Sequence, residues 1–288
     1  MENLELQKLL TERMQTMPNK ARRVTEYLLS HMREASYLSI GAIAEQLNVS
    51  KAQLVRVAQN LGFKGYSELK TAIQDCVLEQ INPSALLARA QHSDNSVEES
   101  IYHAELVNIE DTMKQITDKD VDYFCDLLSK ANNIYCVGWG ISSLVMEMLQ
   151  LRLTVMGCKA TLFRRGGLTL WEQMRCVRKG DVVITCELPS YTVEVSEAIE
   201  IAVQNSAKIV TISDSPAAPV CRSANLSFFV SASSPTFGSS IIGPLFLTHI
   251  LTSALAISLG ETAKQALDKQ AEFLHDERIF HPIFGLKY

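Results

Sequence analysis

Up to about Lys130, apolar residues recur at intervals of three and four; beyond Asn133 they gather in short unbroken runs. The first spacing predicts amphipathic helices, and the second predicts buried strands. Helices are expected over 4–14, 20–32, 40–47, 51–60, 68–79, 97–117 and 118–130. In 20–32, Val24, Tyr27, Leu28 and His31 form a one-sided stripe, with Pro18 as punctuation and Asn19 as the expected cap. The strand-like runs are IYCVG (134–138), ATLF (160–163), DVVITC (181–186), KIVTIS (208–213) and LSFFV (226–230), most of them separated by helical segments. That alternation predicts a doubly wound parallel sheet with helices on both faces. A chain of 288 residues with such a switch of period is expected to form two domains. The expected divisions are an all-α domain over 1–80, a linker and connecting helix over 81–117, and an α/β domain over 118–288. Within the linker, the polar stretch 91–99 reads as a hinge.

Residues 39–70, SIGAIAEQLNVSKAQLVRVAQNLGFKGYSELK, carry the most specific local pattern in the chain. Ile40, Ile43, Leu47, Leu54 and Val57 share one face of two short helices. Ala44 sits where crossing helices approach closely, and Asn48 occupies a turn position suited to a left-handed backbone. Ser50 is a good N-cap for the second helix, and Ser67 is expected to cap the helix that follows. This is the pattern of a helix-turn-helix. Its second helix turns Lys51, Gln53, Arg56 and Asn60 outward. Gln pairs with adenine and Arg with guanine or phosphate, so Ser50, Lys51, Gln53, Arg56 and, in the following glycine-hinged turn, Lys64 are the expected DNA contacts.

The net charge of −5 changes meaning once it is divided along the chain. Residues 1–80 hold ten Lys/Arg against nine Asp/Glu, so the acidic excess lies beyond the DNA-binding pattern. Local cationic positions suffice for phosphate contacts. The seven cysteines show no C-x-x-C pair, and no histidine stands at metal-like spacing, so reduced thiols, no metal and a cytoplasmic location are expected. The apolar stretch 241–259 is interrupted by Gly243, Pro244 and His249, which favours a core helix over a membrane span.

In a doubly wound sheet, ligands bind beyond the carboxyl ends of the strands. Three loops qualify: 138–143, 187–192 and 231–240. Gly138-Trp139-Gly140-Ile141-Ser142-Ser143 follows a strand and opens a helix, where free N–H groups and the helix dipole attract anions. The alternative is that its serines only cap the helix. The third glycine of a dinucleotide fingerprint is missing, and Arg164 and Arg165 stand where an acidic residue would end the next strand. No nicotinamide cofactor is expected, nor any other cofactor.

With both halves read, the chain resembles the RpiR family of bacterial transcriptional regulators. The resemblance rests on the whole of residues 39–70, on VGWGISS (137–143) and on the order of elements over 118–259. It implies an N-terminal helix-turn-helix bundle that binds operator DNA and a Rossmann-like SIS (sugar isomerase) domain that senses phosphosugars. Carried onto this chain, the implied effector-binding residues are Gly140, Ser142 and Ser143, then Glu187, Ser190 and Thr192, then Ser239 and Ser240. The second loop departs from the family's Ser-x-Ser-Gly-x-Thr cradle. Glu187 and Pro189 replace serines and Ser190 replaces the glycine, while Thr192 matches and Glu194 follows as in many members. Glu187 adds negative charge where a phosphate would lie, and Pro189 removes a donor. A sugar phosphate, or a differently charged or neutral metabolite, is the expected effector, with Arg164, Arg165 or Lys179 as counter-charges.

The expected protein is a non-enzymatic homodimer or homotetramer that binds an inverted repeat. Helices 241–259 and 97–117 are the expected interface, and no membrane partner is expected. The alternatives are a sugar isomerase-type enzyme, for which Glu187 and Glu194 would be the candidate bases, and a DNA-binding protein whose SIS domain only oligomerises.

Overall fold

The computed structural model describes residues 3–14, 17–91 and 96–277. The chain divides into two compact units, Met1–Tyr102 and His103–Asp214 with Ala218–Ser233 and Ser240–Tyr288; Ser215–Ala217 and Ser234–Ser239 group with the first. The expected hinge over 91–99 lies partly outside the described residues, which omit 92–95.

The first unit is helical: α1 (Asn3–Met14), α2 (Asn19–Ser30), α3 (Met32–Tyr37), α4 (Ile40–Gln46), α5 (Lys51–Asn60), α6 (Tyr66–Ile81) and α7 (Pro83–Gln91). Leu6, Leu10, Leu28, Ile43, Leu54, Leu61, Leu69 and Ile73 are fully buried in one core. The helix expected over 20–32 breaks at His31, whose φ of −124° and ψ of 38° are not helical, and α3 starts afresh. Asn19 is the first helical residue rather than the cap; Pro18 takes that place without a side-chain bond. Ser67 likewise lies inside α6, and the carboxylate of Glu68 accepts the Lys64 N–H instead. Long-range bonds fix the bundle: Lys70 Nζ donates to the Leu38 carbonyl at 2.6 Å, and Gln74 Nε2 to the Ser36 carbonyl at 2.9 Å.

A long helix, α8 (Val97–Gln115), leads on to α9 (Asp118–Ser129), and then the parallel sheet begins. Its strands and helices are β1 (Ile134–Gly138), α10 (Ser142–Val155), β2 (Ala160–Phe163), α11 (Leu170–Met174), β3 (Val182–Glu187), α12 (Val193–Gln204), β4 (Lys208–Ser213), β5 (Leu226–Phe229), α13 (Ile242–Leu259) and α14 (Glu261–Asp276). All pairings are parallel, in the order β2-β1-β3-β4-β5. Alternation along the strands divides the core into two layers. Cys136, Ile184, Cys186, Ile212 and Phe228 pack with α9, α10 and α13, whereas Tyr135, Val137, Val183 and Ile209 pack with α11 and α12. β3 starts one residue later than expected because Asp181 is used as an acceptor, taking Asn133 Nδ2 at 2.9 Å and the Arg178 N–H at 2.8 Å.

Among the described residues α13 is long and apolar enough to span a membrane by length and composition. Leu247, Leu251 and Leu255 on it are fully buried in the domain core. Asn108 of α8 is buried and ties that helix to the segment after β5. Its Nδ2 donates to the Ser233 carbonyl at 2.8 Å, and its Oδ1 accepts from Ser231 Oγ at 2.8 Å and the Ser233 N–H at 3.0 Å. Asn108→Ala removes all three of these bonds and is expected to lower the unfolding free energy by about 1–3 kcal/mol. Urea unfolding monitored by circular dichroism measures the loss.

Candidate functional site

The turn between α4 and α5 is built from the sequence upward. Asn48 adopts φ of +53°, and the Val49 N–H returns to the Ala44 carbonyl at 2.8 Å. Ser50 Oγ accepts the Gln53 N–H at 3.2 Å, and Gln53 Oε1 accepts the Ser50 N–H at 2.8 Å, a reciprocal capping box. Leu54, Val57 and Ala58 bury one face of α5, leaving Lys51, Arg56, Gln59 and Asn60 exposed on the other. A methyl group on Gly41 would come within 3.3 Å of Lys51 Cε, so the lysine stem lies along α4 at the start of α5. Lys64 is exposed in the following turn. Gln53 differs from the expectation in one respect. A bidentate adenine contact needs both amide atoms, and the cap already uses the carbonyl oxygen, so Nε2 is the donor left for a base.

In the second unit, the strand order reverses between β1 and β3, and the crevice of such a sheet opens there. Gly138 ends β1 beside Cys186 of β3. A Cβ at Gly138 would meet the Ser143 Cα at 2.8 Å, so only glycine lets α10 start this close to the strand. Gly140 turns the loop with φ of +55°. Ser143 Oγ donates to the Gly140 carbonyl at 2.7 Å; Ser142 is buried and hydrogen-bonds the Cys186 thiol. Burial pushes that thiol up to about 12, so it stays protonated.

One residue on, Glu187 faces α12. Its Oε1 accepts the Thr192 N–H at 2.6 Å and the Thr192 hydroxyl at 3.0 Å; its Oε2 is buried with no hydrogen-bond partner among the described residues. Burial raises the pKa of this carboxyl; the Thr192 bonds oppose the shift and the neighbouring Asp214 charge adds to it. Ser190 is exposed in the loop. Tyr191 donates its hydroxyl to Asp214 Oδ1 at 2.8 Å.

A profile described as the helix-turn-helix domain of the rpiR family matches residues 4–80, and a SIS domain profile matches residues 127–258. The chain belongs to the RpiR family of helix-turn-helix transcriptional regulators. An uncharacterised HTH-type transcriptional regulator of Clostridium perfringens is 24% identical over 87% of this chain and 92% of its own length. The Escherichia coli regulator RpiR is 25% identical over 73% of this chain and 70% of its own. The fold is similar to that of Vibrio vulnificus NanR complexed with ManNAc-6P, with a TM-score of 0.62, 24% identity, and coverage of 94% of this chain and 98% of that one.

Within this RpiR-family chain, the structure brings Gly140, Ser142 and Ser143 together in one loop, and Glu187 with Thr192 in the next. Ser240 is drawn elsewhere: its hydroxyl donates to Glu105 Oε2 at 2.8 Å and accepts the Ile242 N–H at 3.1 Å. Ser239 lies in Ser234–Ser239, outside this compact unit. The expected counter-charges are engaged or displaced. Arg164 pairs with Glu147 at 3.4 Å and Arg165 with Glu194 at 3.7 Å. Lys179 precedes β3 and so sits at the amino edge of the sheet, opposite the ligand loops. Glu194 also accepts the Leu170 N–H at 3.1 Å, which anchors the start of α11. Sequence reasoning passed over Asp214 and Tyr191; the position of Asp214 just after β4 was the available signal.

Because the folded protein raises the Glu187 pKa above the ordinary 4.5, the native state holds this proton more tightly than the unfolded chain. Stability from this group is therefore full below 4.5 and is lost as pH rises through the raised value. The melting temperature of wild type relative to Glu187→Gln is expected to fall as pH rises above the ordinary 4.5. Scanning calorimetry of both proteins across that rise checks the sign.

Proposed function

We propose that α5 reads an operator in the major groove while the carboxyl edge of the sheet in the second unit binds a small carbohydrate-like effector. The observation that carries the first half is α5 itself: a capped helix with Lys51 and Arg56 exposed opposite a buried Leu54, Val57 and Ala58 face. The second half is supported by the strand-order reversal beside Gly140, Ser142, Ser143, Glu187, Ser190 and Thr192, and by the ManNAc-6P in the NanR structure. Ser50 and Lys64 complete the proposed DNA contacts. A chromosomal operator places the protein in the cytoplasm.

The role is regulatory rather than catalytic. An isomerase needs a general base free to reach its substrate. Glu194 is held by Arg165 and the Leu170 N–H, and one oxygen of Glu187 by Thr192.

One recognition helix reads one half-site, so a two-fold homodimer on an inverted repeat is the economical assembly. A groove of about 480 Å³ lined by Leu151, Val155, Ala256, Ile257 and Leu267 leaves apolar surface on α10, α13 and α14 for a second copy. Leu151→Glu with Ile257→Glu is expected to yield monomers of unchanged helicity, as measured by light scattering and circular dichroism.

The operator assignment has a direct test. Arg56→Ala should weaken operator binding by about 1–3 kcal/mol while sparing random DNA. Lys64→Ala should weaken both alike and make the salt dependence shallower by about one unit of slope. Gln53→Ala removes a base donor and also the acceptor of the Ser50 N–H, one half of the capping box, while Ser50 Oγ keeps the backbone N–H of residue 53. Fluorescence anisotropy over a salt series separates these cases; an Arg56→Ala protein with wild-type operator affinity would remove α5 from the groove.

A further inference from the structure

The carboxyl end of β3 holds an acid that the regulatory reading does not explain. Glu187 is only 4% exposed, and its Oε1 takes both donors of Thr192, the backbone N–H and the hydroxyl. Thr192 immediately precedes α12, a helix of 12 residues, so these donors belong to the end of a helix that attracts anions. A side-chain carboxylate already stands where a free anion would bind. Its other oxygen, Oε2, is buried and has no hydrogen-bond partner among the described residues. Buried acceptors left unpaired are rare and costly, which makes Oε2 a candidate to be completed by a bound molecule.

For the ionised carboxylate that partner has to be a donor. A phosphate monoester brings only acceptors and negative charge, and it would find the Thr192 donors occupied and a carboxylate in its path. A cation fits the surroundings better. Ser213 Oγ donates to the Glu187 carbonyl at 2.7 Å, and Asp214 follows directly, close enough for its charge to act on Glu187. The arginines of the neighbouring loop are matched by Glu147 and Glu194. Gly138 pairs in register with Cys186, so Trp139 and Glu187 each stand one residue further along adjacent strands. Trp139 is 43% exposed, an aromatic surface of the kind that attracts ammonium groups.

We propose that Glu187 is a built-in anion that closes the α12 N-terminus to phosphate and directs the site towards a phosphate-free small molecule whose protonated amine donates to Oε2. This rests on the reading of the carboxyl edge as the effector site. The effector class follows from charge: a carboxyl that completes itself on one side with Thr192 leaves one acceptor for one cationic donor.

The test uses full-length wild type, Glu187→Ser and Glu187→Gln, with calorimetric titration and thermal shift. The anionic probes are inorganic phosphate and glucose 6-phosphate. The cationic probes are amino sugars and aliphatic amines, each paired with its hydroxyl counterpart, glucosamine against glucose among them. Glu187→Ser frees both Thr192 donors and is expected to bind phosphate at least about tenfold more tightly than wild type. Wild type is expected to respond to an amine over its hydroxyl counterpart, and Glu187→Gln to lose that preference; if Glu187→Ser does not fold, this loss decides the matter. Equal phosphate binding by wild type and a folded Glu187→Ser overturns the proposal, as does a panel in which no amine outperforms its counterpart. A phosphate ester that releases wild type from DNA would overturn it and leave the regulatory reading intact. Amine binding that depends on Glu187 but never changes DNA affinity would support it and defeat that reading instead.

Discussion

Burial of β3 between β1 and β4 is the constraint on which the functional edge depends. Every residue of that strand is buried, and it pairs in parallel with a neighbour on each side. With no room to slip, the alternation of the strand dictates what its last residues face. Cys186 turns to the α10 side and meets Ser142; Glu187 turns to the α12 side and meets Thr192. The two loops expected to share a ligand therefore approach the sheet edge from opposite faces. The reversal of strand order lies between β1 and β3, the strands that lead into them.

The turn between α4 and α5 is held by a different logic. Its ties are local and repeated: a capping box at Ser50, a left-handed Asn48, and a glycine at position 41 that accepts the Lys51 stem. Each could be replaced at modest cost, and their agreement is what specifies the turn. Rigid presentation of α5 matters because base contacts tolerate little displacement. The capping box serves that end at the expense of Gln53, whose oxygen it uses. The cap therefore uses the amide oxygen that a bidentate base contact would need.

Charge follows a similar economy. The net −5 is concentrated beyond residue 80, where Glu187, Glu194 and Asp214 gather near the ligand loops. Arg164 and Arg165, which sequence order makes look like ligand counter-charges, instead neutralise Glu147 and Glu194. The Arg164–Glu147 pair is exposed and worth little to stability. With both arginines so paired, the partner of the buried Glu187 carboxyl among the described residues is Thr192 rather than a basic side chain.

Short-range pattern was enough for the helix-turn-helix, down to Asn48 and Ser50, because turn and cap preferences act over three or four residues. The strands at 134–138, 160–163 and 208–213 were equally legible, since a strand buried on both faces shows as an unbroken apolar run. Boundaries set by competing local interactions were not: His31 breaks a periodic helix, and Asp181 leaves its strand to serve as an acceptor. Partners were beyond reach altogether. That Ser240 turns to Glu105, that Arg165 finds Glu194, and that Glu187 occupies the donors of Thr192 are facts of side-chain direction and distance. The sequence by itself determined which residues stand near the edge of the sheet. Only tertiary packing decided which of them face one another, because that depends on the face each strand end presents and on how closely each helix can approach it.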